Sequence, residues 1–556
     1  MLLFKLLVLP SFVHALWPIP HTLQTGTSLL KLSPTFDITL PSISKPPQDL
    51  LAAIAQTKTY LHTDKLQRLI VGRGAASSTG LQTARALPSL TLSLLNNATP
   101  HAIAVEAVRP IGMRNEGYTL SVPADGSPAV LTANSTLGLF RGLTTFGQLW
   151  YDLEGVTYSY EAPIKIAKDV PAFPYRGFML DTARNFFPVA DIKRTLDAMS
   201  WVKMSTFHWH AVDSQSFPLD ILGFRELASK GAYSQSEIYT TADIQDIVSY
   251  AGARGIDVLV ELDTPGHTAS ISSSHPEHIA CPLSTPWPSF AAEPPSGQLR
   301  LASAATTTFT SSFIRALAST LPSTLFSTGG DEVNLNCYAK DAQTQMDLKA
   351  SGKTLEQALS AFVGAVHKAL GEVGKTPVVW EEMVLEHNIT LSKDTVVMVW
   401  ISSQHAGSVA AKNFRIVHAP SDYFYLDCGA GEWLGNNPSG NSWCDPFKTW
   451  QKSYTFDPLA SLTTAQHALV LGGQQLLWTE QSSPENLDSI VWPRAASSAE
   501  VFWTGATLPD GTPRSAGLAS ALPRLHDLRY RMVRRGVRAI ALQPHWCALR
   551  PGACDG

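Results

Sequence analysis

Two acids stand side by side in Phe326-Ser327-Thr328-Gly329-Gly330-Asp331-Glu332-Val333, after a short apolar run and two glycines. Adjacent carboxylates repel. In a shared, poorly solvated pocket, desolvation and the neighbour's charge raise one of the two pKa values, leaving a proton donor beside a carboxylate that can orient or stabilise. On a regular strand the two side chains point to opposite faces. Both reach one pocket only at the strand's end, and Asn334 and Asn336 mark a chain leaving its sheet. Taken alone, the pair also fits an exposed turn of solvated acids.

The elements that must carry this pair show in the alternation of apolar β runs with helical stretches. The β runs are Arg176 to Asp181, Thr206 to Val212, Asp257 to Asp263, the run ending at Asp331-Glu332, Pro377 to Glu381, Thr395 to Trp400, Arg415 to Ala419 and Leu469 to Trp478. Helices are expected around Val189 to Met204, Thr241 to Ala253 and Thr307 to Leu321. Such alternation predicts an α/β fold with a parallel sheet, and eight runs predict a closed (β/α)8 TIM barrel over residues 169–556. Polar residues and tryptophans crowd the C-terminal ends of the runs: Asp181, His208, His210, Asp263 with His267, Asp331 with Glu332, Trp380, Trp400, and Trp478 with Glu480. Barrel active sites lie at that end. Acids accept hydroxyl hydrogen bonds and indole faces pack on sugar C–H surfaces, so the set describes a carbohydrate pocket; each tryptophan taken singly also fits a core role. A second reading makes His208 and His210, with Asp213 or His267, a metal site. No further histidine pair or placed lysine completes a dinuclear centre, and hydrogen-bonded buried histidines are the simpler expectation.

Before the barrel, residues 16–168 read as a smaller accessory α+β domain. Strands are expected at Leu66 to Val71, Ala102 to Glu106 and Tyr118 to Val122, and a helix over Ala133 to Trp150, where Leu137, Phe140, Leu143 and Phe146 recur at helical spacing. Ile164 to Pro171 reads as the crossing into the barrel. Residues 1–15 are apolar after Met1, carry Lys5 and end at small Ala15, a secretory signal too short for a membrane span. Export agrees with three glycosylation sequons, at Asn97, Asn134 and Asn388, and with six cysteines that lack a paired zinc pattern. Sequence-local pairing would join Cys281 to Cys337, Cys428 to Cys444 and Cys547 to Cys554, although spacing does not establish it. A net charge of −4 over 556 residues, with no basic run among aromatics, argues against a nucleic-acid partner, and no later apolar stretch is long enough for a membrane.

With these residues assembled, the chain resembles glycoside hydrolase family 20, the β-N-acetylhexosaminidases, particularly secreted fungal members. The resemblance rests on Arg176-Gly177-Phe178-Met179-Leu180-Asp181-Thr182-Ala183-Arg184, Phe207-His208-Trp209-His210-Ala211-Val212-Asp213, Glu261-Leu262-Asp263-Thr264-Pro265-Gly266-His267, Gly329-Gly330-Asp331-Glu332 and Trp492-Pro493-Arg494-Ala495. It implies an exo-acting, cofactor-independent and metal-independent glycosidase that releases terminal β-linked N-acetylglucosamine, and N-acetylgalactosamine as a second sugar, through a substrate-assisted mechanism. In that scheme Glu332 is the general acid and base, and Asp331 orients the substrate's acetamide. The resemblance makes Arg176 and Glu480 the grip on the terminal sugar, Trp380, Trp400 and Trp478 the walls of the acetamido pocket, Tyr425 a donor to the acetamide oxygen and Asp427 a hydroxyl contact. Asp213 and His267 support the acid. Relatives often form homodimers, and no interface is legible here. Ser327 and Asn185 depart from the histidines common in relatives, which touches only the surroundings of the site. Trp433, in the loop after Cys428, is expected near the pocket mouth. The rival readings are a carbohydrate-binding protein without turnover, against which both acids argue, and a barrel metallohydrolase. The DxxDxDxE run of substrate-assisted chitin endoglycosidases is absent.

Overall fold

The computed structural model describes residues 15–555, so the leader reading falls, apart from Ala15, outside the described residues. The accessory domain is a six-stranded sheet: β1 (Gln24–Thr39), β2 (Arg85–Leu94), β3 (Tyr118–Val122), β4 (Ala129–Ala133), β5 (Tyr151–Leu153) and β6 (Val156–Asp169). They lie in the order β1-β2-β4-β3-β6-β5, and the long β1 also pairs with β6. Helix α1 (Gln48–Thr63) buries Leu50, Ile54, Thr57 and Leu61, one stripe at helical spacing. Helix α2 (Thr136–Gln148) starts where the Ser135 hydroxyl accepts the Gly138 N–H at 2.9 Å.

Three expectations for this domain change. Ala102 to Glu106 is not a strand but enters a short helix, Ile103–Ala107, whose buried Ile103, Glu106 and Ala107 have helical and not alternating spacing. Leu66 to Val71 carries no strand: Leu66 is pinned by the Asp152 N–H, and the chain then turns, with Arg73 N–H bonded to Ile70 O. Ile164 to Asp169 completes the fourteen-residue β6, so the crossing is only the few residues after it.

The barrel forms as expected, from β7 (Tyr175–Asp181), β8 (Thr206–His210), β9 (Asp257–Glu261), β10 (Leu325–Ser327), β11 (Thr376–Trp380), β12 (Val396–Val399), β13 (Arg415–His418) and β14 (Val470–Leu477). Neighbouring strands are parallel throughout, and Ser327 opposite Glu261 joins β10 to β9 while β14 pairs with β7, which closes the ring. Six of the eight strands are buried at every position and the other two at all but their first, because helices such as α3 (Val189–Trp201), α4 (Thr241–Gly252), α5 (Ala304–Ala318) and α6 (Leu355–Glu372) cover the outside. The expected disulfides Cys281–Cys337, Cys428–Cys444 and Cys547–Cys554 are all present. Asn134 and Asn388 are exposed. No helix among the described residues is long and apolar enough to cross a membrane.

The two domains meet through buried charge. Glu116 of the accessory domain accepts from Arg141 Nε at 2.8 Å and from Arg176 Nη2 at 2.5 Å. Arg176 also donates to the carbonyls of Lys203 and Phe173 at 2.9 Å. Beside it, Asp169 holds the Lys203 ammonium at 3.0 Å, the Tyr118 hydroxyl and the Trp503 indole N–H. The assignment of Arg176 to the sugar pocket is therefore corrected. Arg176 is the second residue of β7, five positions before Asp181 and so about 16 Å from the barrel mouth, and it is fully buried against the accessory domain. Replacing it by Met should lower the unfolding free energy by about 3 kcal/mol, because Glu116 loses one of its two cations in a dry site. Urea unfolding checks this, and KM of the folded fraction should not change.

Candidate active site

The acid pair lies just beyond β10. After Ser327 the backbone takes positive φ at Gly329 (61°), Gly330 (99°) and Glu332 (55°), a course that breaks the strand's alternation and turns both acids to one side. A Cβ on Gly329 would lie 2.0 Å from an Asp263 oxygen, so only glycine lets the segment pass this close. Asp331 is buried, whereas the Glu332 side chain is 32% exposed to the pocket. The deeper acid and the more accessible one thus have different surroundings although they are neighbours in sequence.

Behind them runs a relay of charge. His267, directly after the Leu262-Asp263-Thr264-Pro265-Gly266 segment that leaves β9, has its Nε2 3.2 Å from Glu332 and 3.9 Å from Asp331, while its Nδ1 meets Asp213 at 3.0 Å. Burial opposes an imidazolium here, but Asp213 and Asp331 outweigh it and hold the His267 pKa well above the usual histidine value. Asp213 also faces His210 Nε2 at 2.8 Å and Arg184 at 2.9 Å. The other nitrogen of His210 meets Glu261 at 2.5 Å, as does His208 Nε2 at 3.1 Å, and Gln474 takes the remaining nitrogen of His208 at 3.0 Å. Burial opposes charge on His210 too, and its two carboxylates push its pKa up to about 10. His208 and His210, the pair of the metal reading, thus meet protein partners through both ring nitrogens. Ser327 donates to the same Glu261.

Asp263 stands against Asp331. Its Oδ1 accepts the Gly330 N–H at 2.8 Å. Burial first, and then the Glu261 charge, raise the Asp263 pKa to about 7, while burial and the Asp263 charge hold Asp331 well above the carboxylate range. On the facing side are the aromatics. Trp400 and Tyr425 lie nearly parallel with ring centres 6.2 Å apart, Trp478 is 6.4 Å from Tyr425, and Trp443 stands edge-on to both Trp400 and Tyr425. The Trp400 N–H is fixed by Glu382 at 2.8 Å. Trp380 is buried beneath Trp478, 6.1 Å away, and supports the wall without lining the pocket.

Arg184, three residues past the end of β7, occupies the position that Arg176 was expected to fill. It lines the pocket with Glu480 and Asp427, and its guanidinium lies 4.9 Å over Trp478. The nine-residue motif contains both arginines; strand length decides between them. Asp213 does not line the pocket: it is fully buried and meets His267 and Arg184 from behind. Burial raises the Asp427 pKa to about 7. Trp433 lines the mouth as expected; Trp443 and Glu293 also line it and carried no sequence signal beyond their loops. A second cleft, between α1, α2 and the barrel, holds Tyr60, Trp201, Arg254 and Arg535 and has no comparable pair of reactive acids.

A carboxyl beside a charged imidazole, opposite stacked aromatic rings at a barrel mouth, suits chemistry on a sugar. The class is therefore that of the barrel glycoside hydrolases. Residues 173–506 match the model of the glycosyl hydrolase family 20 catalytic domain, and residues 16–149 match that of a β-acetyl hexosaminidase-like domain. A β-hexosaminidase of Arthroderma benhamiae is 35% identical over 460 residues, covering 79% of this chain and 74% of that one. The chitooligosaccharidolytic β-N-acetylglucosaminidase of Bombyx mori is 33% identical over 564 residues, covering 97% and 89%. The chitobiase of Flavobacterium johnsoniae shares the fold, with a TM-score of 0.73 at 24% identity, covering 94% of this chain and 73% of that one. The chain belongs to glycosyl hydrolase family 20, the β-N-acetylhexosaminidases.

The raised pKa of Asp263 makes a stability prediction. A carboxyl whose folded pKa is raised takes up a proton on folding, so its contribution is complete below the unfolded value near 4 and is lost as pH rises through about 7. Asp263→Asn should flatten the fall in thermal midpoint between about pH 4 and 7. Unfolding scans across that range check it.

Proposed function

We propose that the enzyme is an exo-acting, retaining glycosidase that releases terminal, nonreducing β-linked N-acetylglucosamine, and N-acetylgalactosamine as a second sugar, using the substrate's own acetamide as nucleophile. The observation that carries this is the one-sidedness of the acid pair: Asp331 and Glu332 are consecutive and both face His267 Nε2. An enzyme nucleophile would stand across the sugar, about 5 Å from the acid. Adjacent acids on one side fit a reaction whose nucleophile arrives with the substrate.

In this reading the acetamide oxygen attacks the anomeric carbon while the bond to the leaving oxygen breaks and Glu332 donates its proton to that oxygen. The positive charge spreads over an oxazolinium ring. Asp331, as a carboxylate, accepts the ring N–H and stabilises the charge. Glu332, now a carboxylate, takes a proton from water as water attacks the same carbon and reopens the ring; two inversions give retention. Trp400, Tyr425 and Trp478 exclude water from the acetamide and fix its direction. His267 and Asp213 hold Glu332 in register. The chitooligosaccharide named for the Bombyx mori relative supports chito-oligosaccharides as the natural class. The leader and three disulfides support an exported enzyme.

Hydrolysis of an aryl β-N-acetylglucosaminide, with and without the thiazoline whose ring stands in for the oxazolinium, tests the proposal. Competitive block by thiazoline is expected; cleavage indifferent to it rejects substrate assistance. Glu332→Gln should lower kcat by about 10²–10⁴-fold while the sugar still binds. Asp331→Asn should weaken thiazoline binding along with turnover.

A further inference from the structure

Between β9 and α5 the chain makes a long excursion over the barrel mouth, and its end is fastened to the segment that follows the acid pair. Cys281 is bonded to Cys337. Gln298 donates to Asn334 O at 2.7 Å and accepts from Asn334 N at 3.1 Å, and Asn336 donates to Ser289 O at 2.7 Å. This anchorage delivers Glu293 to the pocket. Its Oε1 takes Arg184 Nε at 2.8 Å, Arg184 Nη2 at 2.5 Å and Gln215 Nε2 at 3.1 Å, and the side chain is 13% exposed. All three donors converge on that one oxygen. Oε2 takes no hydrogen bond among the described residues, and Glu293 lines the same pocket as Arg184 and Glu480.

We infer that Glu293 is a sugar-binding residue: Oε1 fixes the plane of Arg184, and Oε2 accepts a hydrogen bond from one hydroxyl of the vicinal pair that Arg184 meets. In a 2-acetamido sugar bonded through its first carbon, the only vicinal hydroxyls are those on the third and fourth carbons. A guanidinium donor beside a carboxylate acceptor matches such a pair, because one hydroxyl can accept while its neighbour donates. The inference rests on the reading that this pocket holds a terminal N-acetylhexosamine. It extends that reading to a residue from outside the barrel strands, placed by a disulfide-fastened loop.

The test compares wild type, Glu293→Ala and Glu293→Gln on aryl β-N-acetylglucosaminides that are intact or lack the hydroxyl at the third, fourth or sixth carbon. A charge-assisted hydrogen bond predicts that Glu293→Ala lowers kcat/KM on the intact substrate by about 10- to 100-fold, mainly through KM, with Glu293→Gln in between. It also predicts that the loss vanishes on either the 3-deoxy or the 4-deoxy substrate and persists on the 6-deoxy one. A loss equal on all four substrates makes Glu293 merely structural and overturns the inference, as does an unchanged or lower KM. If Glu293→Ala does not fold, by circular dichroism, the same comparison with Glu293→Gln decides. Absence of wild-type cleavage of the intact substrate would instead reject the underlying function, so the two failures are distinguishable.

Discussion

An imidazolium held between carboxylates is the interaction on which the site depends. His267 touches Asp213 with one nitrogen and faces both reactive acids with the other. Remove its charge and Asp213 would keep Arg184 and His210, but Asp331 and Glu332 would lose the cation that faces them both. The relay behind it, from Glu261 through His210 to Asp213, alternates acid and base so that each member has an opposite neighbour. The strands that close the barrel carry these residues at their ends, and closure is what brings residues 213, 267 and 331 together from three separate runs.

The same alternation explains the difference between two neighbouring acids. Asp331 shares its environment with Asp263 and little water, while Glu332 reaches the open side. Burial thereby gives two consecutive carboxyls different surroundings. The unusual backbone at Gly329, Gly330 and Glu332 is the means, since a continuing strand would have sent the two to opposite faces.

Much of this was legible in the sequence because it is local. The eight apolar runs announce themselves, and the acid pair, His267, Trp400, Tyr425, Trp478 and Glu480 each sit within seven residues of a strand's end. What was not legible depends on distance. Arg176 and Arg184 share one motif, and only the seven-residue length of β7 puts one at the domain seam and the other at the mouth. Glu293 reaches the pocket by way of a loop whose course is set by contacts with residues 334–337, which no periodicity encodes. Leu66 to Val71 has strand composition, but only Leu66 meets the edge strand β5 before the chain turns, so tertiary context overrode its propensity.

Consider, finally, what the seam between domains leaves behind on each side. Arg176 and Lys203 belong to the barrel, yet their counter-charges, Glu116 and Asp169, come from the preceding domain or its last residue. A barrel cut free of its companion would retain two cations in surroundings shaped to exclude water. The boundary is thus unlike the polar, pliant linkers at which domains are usually exchanged. Evolution can lengthen the loops at the mouth with little consequence for this seam, but it can recombine the two halves only as a matched set.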